Sequence, residues 1–312
     1  MGLRKYLPRN TVDGLAMAFT FVMMPVAYLH GVFYVTPTIW PIRNVSQELR
    51  EANLFTHYAN VLLMTFILVN GVSNLILTMV TDTSCSRIAL PVVSQPGWTF
   101  CPFCQYYAPP RSHHCLTCRK CVLRCDHHCY FVGKCVGYYN HRYFIAFLIY
   151  VVIAAIYGVI LSFRAISILM GGFHWSIIPS LVFPALAWLL QLMPVNPLVS
   201  IETSTALFVA FGAGGLLGLQ IFQIYKGQTF WEFKRAVGRY NHGLLRNFAD
   251  VMGGSWWFCW LLPFIPSRRY GDGSHYSPLD ADVHVTQQHR SRDNHAQYSL
   301  PSDGKRKMAK SL

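Results

Sequence analysis

The sequence predicts an all-α membrane protein, a four-helix transmembrane bundle with a cytosolic two-zinc cysteine-rich domain between spans 2 and 3. Three observations lead to this fold class. Of the 312 residues, 53% are hydrophobic and only 12% are charged, which is typical of membrane proteins. Four long apolar stretches are spread along the chain, and eight of the ten cysteines lie within residues 101–140. We therefore expect membrane helices on both sides of one metal-binding segment.

The first two spans are predicted at 14–36 and 58–80. No charged residue occurs from Gly14 to Ile42, and both stretches reach the roughly 20 residues that a helix needs to cross a bilayer. The first stretch lacks the short apolar core and small-residue cleavage site of a signal peptide, so we expect it to remain as a membrane anchor.

The second half of the chain holds three apolar segments. We predict spans at 144–169 and 204–225. The middle segment, 177–193, is shorter and contains Pro179 and Pro184, which favours a re-entrant or interfacial element. The polar, His-rich end of the chain is predicted to be disordered. The predicted units are 1–80 (N-terminus and spans 1–2), 81–143 (cysteine-rich domain), 144–225 (spans 3–4), 226–266 (cytosolic C-terminal region) and 267–312 (disordered tail).

Basic residues are concentrated in two of these units, and the formal net charge is +13. Residues 81–143 hold seven Lys or Arg against two Asp, and the chain from Lys226 onwards holds thirteen against seven acidic residues. Because basic loops remain in the cytosol, both regions are predicted to be cytosolic. We expect no nucleic-acid partner, since the sequence shows neither a groove-reading helix nor a base-stacking sheet.

The cysteine-rich segment has the spacing of two metal sites. Pairs of the form Cys-x-x-Cys place two thiolates on one tetrahedral ion, so two such pairs with neighbouring His and Cys predict two zinc sites. A disulfide framework is disfavoured, because cytosolic thiols stay reduced. Nine residues are suitable ligands: Cys101, Cys104, His114, Cys115, Cys118, Cys121, His128, Cys129 and Cys135.

Two closed zinc sites need only eight ligands, so at least one thiol is left over. A cysteine beside a histidine and a carboxylate is the pattern of an activated nucleophile, and Asp126 and His127 lie next to the candidate thiols. Alternatively, Asp126 and His127 support the zinc ligands from outside. Spacing alone does not decide between these interpretations.

The string Asp126-His127-His128-Cys129, continuing to Phe144, resembles the DHHC family of membrane-bound protein S-acyltransferases (palmitoyltransferases). The resemblance implies that Cys129 is the acylated nucleophile, His127 its base and Asp126 the residue that orients His127. It also implies one zinc ion on Cys101, Cys104, His114 and Cys121, and a second on Cys115, Cys118, His128 and Cys135.

Two later segments also resemble this family. Thr229-Phe230-Trp231-Glu232 is similar to its Thr-Thr-x-Glu element, which implies a brace near the active site, although Phe230 lacks the hydroxyl of the second Thr. Asn247 and the run Trp260-Leu261-Leu262-Pro263 are similar to its C-terminal motif.

The resemblance implies an enzyme that moves a palmitoyl group from acyl-CoA, through an acyl-Cys129 intermediate, to cysteines of substrate proteins. The expected cofactors are two structural zinc ions, and the expected partners are acyl-CoA, membrane lipids and proteins with membrane-proximal cysteines. The basic residues of the cysteine-rich domain would meet either CoA phosphates or anionic headgroups. We expect a multi-pass protein of an endomembrane (Golgi or endoplasmic reticulum), with its active site facing the cytosol.

Two other classes of protein are alternatives to the enzyme. A catalytically inactive, membrane-tethered zinc scaffold would need the metal ligands but no free thiol. A zinc transporter would need polar ligands inside its spans, and these spans are nearly free of Asp and Glu.

Overall fold

The computed structural model describes residues 8–190, 197–269 and 271–276. Within these ranges four helical segments are long and apolar enough to cross a membrane, which confirms the predicted number of spans. The chain is therefore a mostly helical, multi-pass membrane protein. The predictions for 1–7 and 277–312, including most of the expected disordered tail, lie outside the described residues. The spans run over Thr11–Ile39, Gln47–Val80, His141–Leu169 and Leu198–Tyr225.

Each span is longer than the apolar stretch that predicted it, because polar turns extend the helices past their apolar part. Asn10 begins span 1 by accepting a hydrogen bond from the Asp13 backbone amide at 2.8 Å. Ser46 caps span 2, whose first turn contains Glu48. Span 1 comprises α1 (Thr11–His30), a π-helical turn (Gly31–Val35) and α2 (Thr36–Ile39); spans 2, 3 and 4 are α3 (Gln47–Val80), α4 (His141–Leu169) and α7 (Pro197–Tyr225).

Two short helices, α5 (Ile177–Val182) and α6 (Pro184–Leu189), occupy the predicted re-entrant or interfacial segment. Each has six residues and rises only about 9 Å, whereas the hydrocarbon core is about 30 Å thick. Ile177 packs against Ile166 of α4 and Val199 of α7. The segment therefore lies at the side of the bundle where span 3 ends and span 4 begins. Its depth in the membrane stays a prediction.

Three small antiparallel hairpins form the cysteine-rich segment, and they add β structure that the sequence analysis did not predict. Strands of three residues are too short to show an apolar period in the sequence. The hairpins pair β1 (Thr99–Cys101) with β2 (Tyr106–Ala108), β3 (His113–Cys115) with β4 (Lys120–Val122), and β5 (His127–Cys129) with β6 (Lys134–Val136).

The third hairpin packs directly on one end of the helical bundle. Cys129 and Val136 share a buried cluster with Met17 of α1, Leu75 of α3 and Phe144 of α4. Helix α4 is central, because it packs against both α3 and α7. Removal of these apolar side chains from water, worth about 25 cal/mol per Å², fixes the hairpin to the spans.

The segment after span 4 covers the same end of the bundle through α8 (Phe230–Phe233) and α9 (Leu244–Met252). The start of span 1 also reaches this end, where Arg9 Nη1 donates a hydrogen bond to the Cys118 carbonyl at 2.7 Å. The start of span 1, the cysteine-rich segment and the residues after span 4 therefore lie on one side of the bundle. An even number of spans requires this arrangement.

Candidate metal centres and thiol site

Two groups of four side chains have the geometry of four-coordinate metal sites. In each group the ligand atoms lie within 4.8 Å of one another. Both groups offer three thiols and one imidazole, a donor set suited to zinc. We call them the first cluster (Cys101, Cys104, His114, Cys121) and the second cluster (Cys115, Cys118, His128, Cys135).

The spacing of the donor atoms fits zinc. Ideal tetrahedral zinc, with bonds of about 2.3 Å to sulfur and 2.0 Å to nitrogen, holds sulfur and nitrogen roughly 3.6 Å apart. In the first cluster, His114 Nδ1 lies 3.6, 3.3 and 3.9 Å from the three Sγ atoms. In the second, His128 Nδ1 lies 3.6, 3.4 and 3.6 Å from its three Sγ atoms. The residues present therefore fit two zinc ions, as the resemblance implies.

The hairpin register separates the two adjacent histidines of the third hairpin. His128 lies directly opposite Cys135, and both belong to the second cluster. Successive side chains of a strand point to opposite faces. His127 and Cys129 consequently share the other face of β5, towards the bundle. The same rule operates in the second hairpin, where His114 lies opposite Cys121.

Cys129, His127 and Asp126 come together where this hairpin meets the spans. Cys129 is buried. His127 Nδ1 lies 2.7 Å from Asp126 Oδ2, and its ring makes an edge contact with Phe144. Burial opposes the charged imidazolium, but hydrogen bonds to Asp126 and Cys129 outweigh it and raise the pKa of His127 to about 10. The arrangement gives a thiol, an adjacent base and a carboxylate that fixes the base.

The Asp126 carboxylate is fully buried and receives two further hydrogen bonds from outside its own segment. The Phe230 backbone amide donates to Oδ1 at 2.8 Å, and Gln220 Nε2 of α7 donates to Oδ2 at 2.9 Å. Burial favours the neutral acid, but the hydrogen bond and charge of His127, with the Phe230 amide, hold the pKa of Asp126 below its usual range. Asp126 is thus an ionised acceptor, and its donor at position 230 is a backbone amide.

A buried ion pair holds that backbone donor in place. Arg111 Nε and Nη2 donate to the two Glu232 carboxylate oxygens, both at 2.7 Å, and both side chains are almost fully buried. Glu232 Oε2 also accepts from the Thr229 backbone amide at 2.8 Å, which completes a capping box at the start of α8. The negative charge of Glu232 outweighs the burial penalty and raises the pKa of Arg111. The backbone amide of Phe230, the second residue of the Thr-Phe-x-Glu segment, is therefore held in contact with the Asp126 carboxylate.

The second cluster is also held from the start of span 1. Asp13 is fully buried, and its two carboxylate oxygens lie 3.3 and 3.2 Å from His128 Nε2. Since Nδ1 of this ring faces the thiols, Nε2 is free to donate to Asp13. A carboxylate behind a histidine ligand fixes the ring and its tautomer.

Sequence reasoning missed several of these supporting residues. In the sequence, Asp13 is a single acidic residue just before the apolar stretch of span 1, and Gln220 lies in an apolar span, where any polar side chain signals a specific partner. Arg111 was counted only towards the positive charge of the segment. Asn247, which the C-terminal resemblance singles out, donates its side-chain amide to the Tyr225 carbonyl at the end of span 4 (3.0 Å).

Comparison with known proteins gives one consistent result. A family model described as DHHC palmitoyltransferase matches residues 94–237. The chain is 32% identical over 229 residues to a probable palmitoyltransferase, ZDHHC24, of Mus musculus (71% of this chain, 79% of that protein). It is 33% identical over 216 residues to the Homo sapiens protein of the same name (68% and 75%). It is 29% identical over 195 residues to probable protein S-acyltransferase 16 of Arabidopsis thaliana (56% and 60%).

Proposed function

The chain belongs to the DHHC palmitoyltransferase family and is a protein S-acyltransferase, and we propose that the acyl group passes through a thioester on Cys129. The proposed donor is palmitoyl-CoA, and the proposed acceptors are membrane-proximal cysteines of substrate proteins. One observation carries the proposal: His127, which is hydrogen-bonded to Asp126, shares a strand face with Cys129, against the apolar end of the bundle.

In the first half-reaction, His127 accepts the thiol proton of Cys129, and the thiolate attacks the thioester carbonyl of acyl-CoA. The carbon–sulfur bond to CoA breaks, the acyl group stays on Cys129, and the leaving CoA sulfur takes the proton from His127. Asp126 holds the imidazole in place and stabilises its charged form.

The second half-reaction repeats these steps with a different thiol. His127 takes the proton of a substrate cysteine, whose thiolate attacks the acyl-Cys129 carbonyl. The bond to Cys129 breaks, and the proton returns from His127 to the Cys129 sulfur. The enzyme regains its starting state, and the acyl group is now a thioester on the substrate.

The surroundings of Cys129 suit a lipid substrate. Its neighbours in the buried cluster include Leu75, Phe144, Phe147 and Leu148 of spans 2 and 3. Each methylene buried among such side chains contributes about 0.8 kcal/mol. A site at the end of the bundle thus favours a long acyl chain that extends between the spans.

Two zinc ions are the proposed cofactors, held by the first and second clusters. Each cluster supplies four protein ligands, which fills the coordination of a structural zinc. Zinc bound there would cross-link the hairpins and keep β5 in register, while the chemistry is carried out by Cys129 and His127.

We further propose that the side of the bundle carrying the cysteine-rich segment faces the cytosol of an endomembrane. The excess of Lys and Arg in 81–143 and after Lys226 supports this orientation. In microsomes, protease should reach tags at both termini and the cysteine-rich segment. Protection of the C-terminal tag alone would contradict the proposal, because 177–193 would then cross the membrane.

The acyl-enzyme is tested by comparing three Cys→Ser variants of the purified protein. Cys129→Ser should keep two zinc ions per chain and form no hydroxylamine-sensitive thioester with labelled palmitoyl-CoA. Cys115→Ser should lose one zinc ion and then lose acylation as a consequence. Cys259→Ser removes a buried thiol that belongs to neither cluster, and it should label like the wild type. Full transfer to a protein substrate by Cys129→Ser would disprove the mechanism, and an unlabelled wild type with two zinc ions would favour the scaffold.

A further inference from the structure

Behind the catalytic pair lies a chain of buried polar side chains drawn from spans 3 and 4. Gln220 of α7 and His141 at the start of α4 are 1% and 2% exposed. Gln220 Nε2 lies 2.9 Å from Asp126 Oδ2, and Gln220 Oε1 lies 2.7 Å from His141 Nε2. A buried amide is retained in an apolar span only where its hydrogen bonds are satisfied.

The chemistry of the partners fixes the direction of each bond. An ionised carboxylate only accepts hydrogen bonds, so the group of Gln220 that faces Asp126 must be the amide nitrogen. The amide oxygen then faces His141, whose Nε2 must carry the proton. The hydrogen bonds therefore run in one direction, from His141 through Gln220 to the oxygen of Asp126 that also holds His127.

We propose that Gln220, oriented by His141, is a positioning residue for acyl transfer, and that it holds the Asp126 carboxylate in the place from which it orients His127. The inference rests on the proposed function, since it assigns Gln220 to the Asp126–His127–Cys129 site. Besides His127, Asp126 receives one donor from the Phe230 backbone and one from the Gln220 side chain.

The test compares Gln220→Met with Gln223→Met in single-turnover acylation of Cys129. Methionine keeps the length of glutamine but donates no hydrogen bond. Gln223 is equally buried on the same helix and accepts from Gln220 Nε2 at 3.2 Å, but it makes no hydrogen bond to Asp126 in the described part of the chain. It is therefore a matched control for the loss of a buried amide.

Gln220→Met should lower the first-order rate constant of acylation by about 10- to 100-fold, the loss expected for one hydrogen bond to a charged group. The labelled fraction at completion, the zinc content and the half-saturating acyl-CoA concentration should stay at wild-type values. Gln223→Met removes an acceptor of Gln220 but no donor to Asp126, so it should lower the rate constant by clearly less than Gln220→Met does. A purely structural role would instead lower the labelled fraction, because misfolded chains do not react.

A double-mutant cycle tests the part played by His141. His141→Phe alone should slow acylation several-fold, and in the Gln220→Met background it should cause no further loss, because its effect passes through Gln220. Any of three results would overturn the inference. The first is a wild-type acylation rate constant in Gln220→Met, and the second is a rate loss in Gln223→Met as large as that in Gln220→Met. The third is a double variant whose rate loss equals the two single losses combined. An unreactive wild type would contradict the proposed function itself.

Discussion

The two metal clusters have the same ligand chemistry but different surroundings. His114 of the first cluster stacks on Phe103, with ring centroids 4.8 Å apart, and within the described residues no carboxylate is hydrogen-bonded to it. His128 of the second cluster donates to the buried carboxylate of Asp13, and its strand also carries Cys129. The first cluster is thus held by the first two hairpins, while the second joins a membrane span to the strand of Cys129.

The comparison shows that identical ligand sets can serve different purposes through their outer contacts. The second hairpin, which carries His114 and Cys121 of the first cluster, is linked to the segment after span 4 through Arg111, which lies just before β3 and binds Glu232. That link does not involve a metal ligand. The second cluster is linked through the ligand His128 itself, so its metal affinity and the position of Cys129 should depend on each other.

The largest effect is expected when each cluster loses its histidine. His128→Ala and His114→Ala should each release one of two zinc ions, whose binding energy is on the order of 10 kcal/mol. Acylation should disappear in His128→Ala, because Cys129 lies on the same strand. His114→Ala should retain measurable acylation. Metal analysis together with thioester labelling checks both variants, and the reverse ranking would break the distinction between the clusters.

A smaller loss of stability is expected when the link through Arg111 is cut. Glu232→Gln leaves a buried guanidinium without its full partner, which should cost about 3–5 kcal/mol. The melting temperature in detergent should fall by about 10 °C. The control is Asp82→Asn, which removes the partly exposed pair with Lys120 and should cost less than about 1 kcal/mol. Equal shifts in the two variants would mean that the Arg111 pair is not a structural link.

Removing the carboxylate behind His128 should affect only the second cluster. Asp13→Ala is expected to lower the zinc affinity of that cluster by about 10- to 100-fold, and Asp13→Asn by less, because an amide oxygen still accepts the hydrogen bond. Chelator competition should show one weakened ion and one unchanged ion. Two unchanged ions would show that Asp13 does not support the metal site.

The smallest effect should come from the aromatic ring over His114. Phe103→Ala removes a stacking contact worth about 0.5–1.5 kcal/mol. The ion of the first cluster should then dissociate several-fold faster, and that of the second at the wild-type rate. Chelator-induced release with a zinc-sensitive dye would resolve the two phases, and faster loss of both ions would contradict independence of the clusters.

The sequence predicted what depends on local composition. Long apolar stretches gave the number of spans, and Cys-x-x-Cys pairs gave the number of candidate metal sites. Spacing left open which thiol is spare and whether His127 is a base or a support for the zinc ligands. The separation of His127 from the ligand candidate His128 depends on strand alternation in β5, and a strand of three residues has no recognisable pattern in the sequence.

The supporting contacts could not be predicted because they join distant parts of the chain. Asp13 and His128 are 115 positions apart, and Gln220 and Asp126 are 94 apart. The bond from Phe230 was hidden for a different reason, since it uses a backbone amide that almost every residue possesses. The identity of the side chain at position 230 therefore does not reveal whether the hydrogen bond from this backbone amide to Asp126 is present.

The long separation between Asp126 and its donors also affects the order in which a working enzyme arises during translation. The cysteine-rich segment leaves the ribosome before Gln220 and Phe230 have been made, so a nascent chain holds the thiol and base while the carboxylate is unsupported. The donors arrive only with the fourth span and the turn that follows it. Completion of the last transmembrane helix thus coincides with completion of the proposed catalytic group, and a chain interrupted earlier would carry Cys129 and His127 without the full support of Asp126.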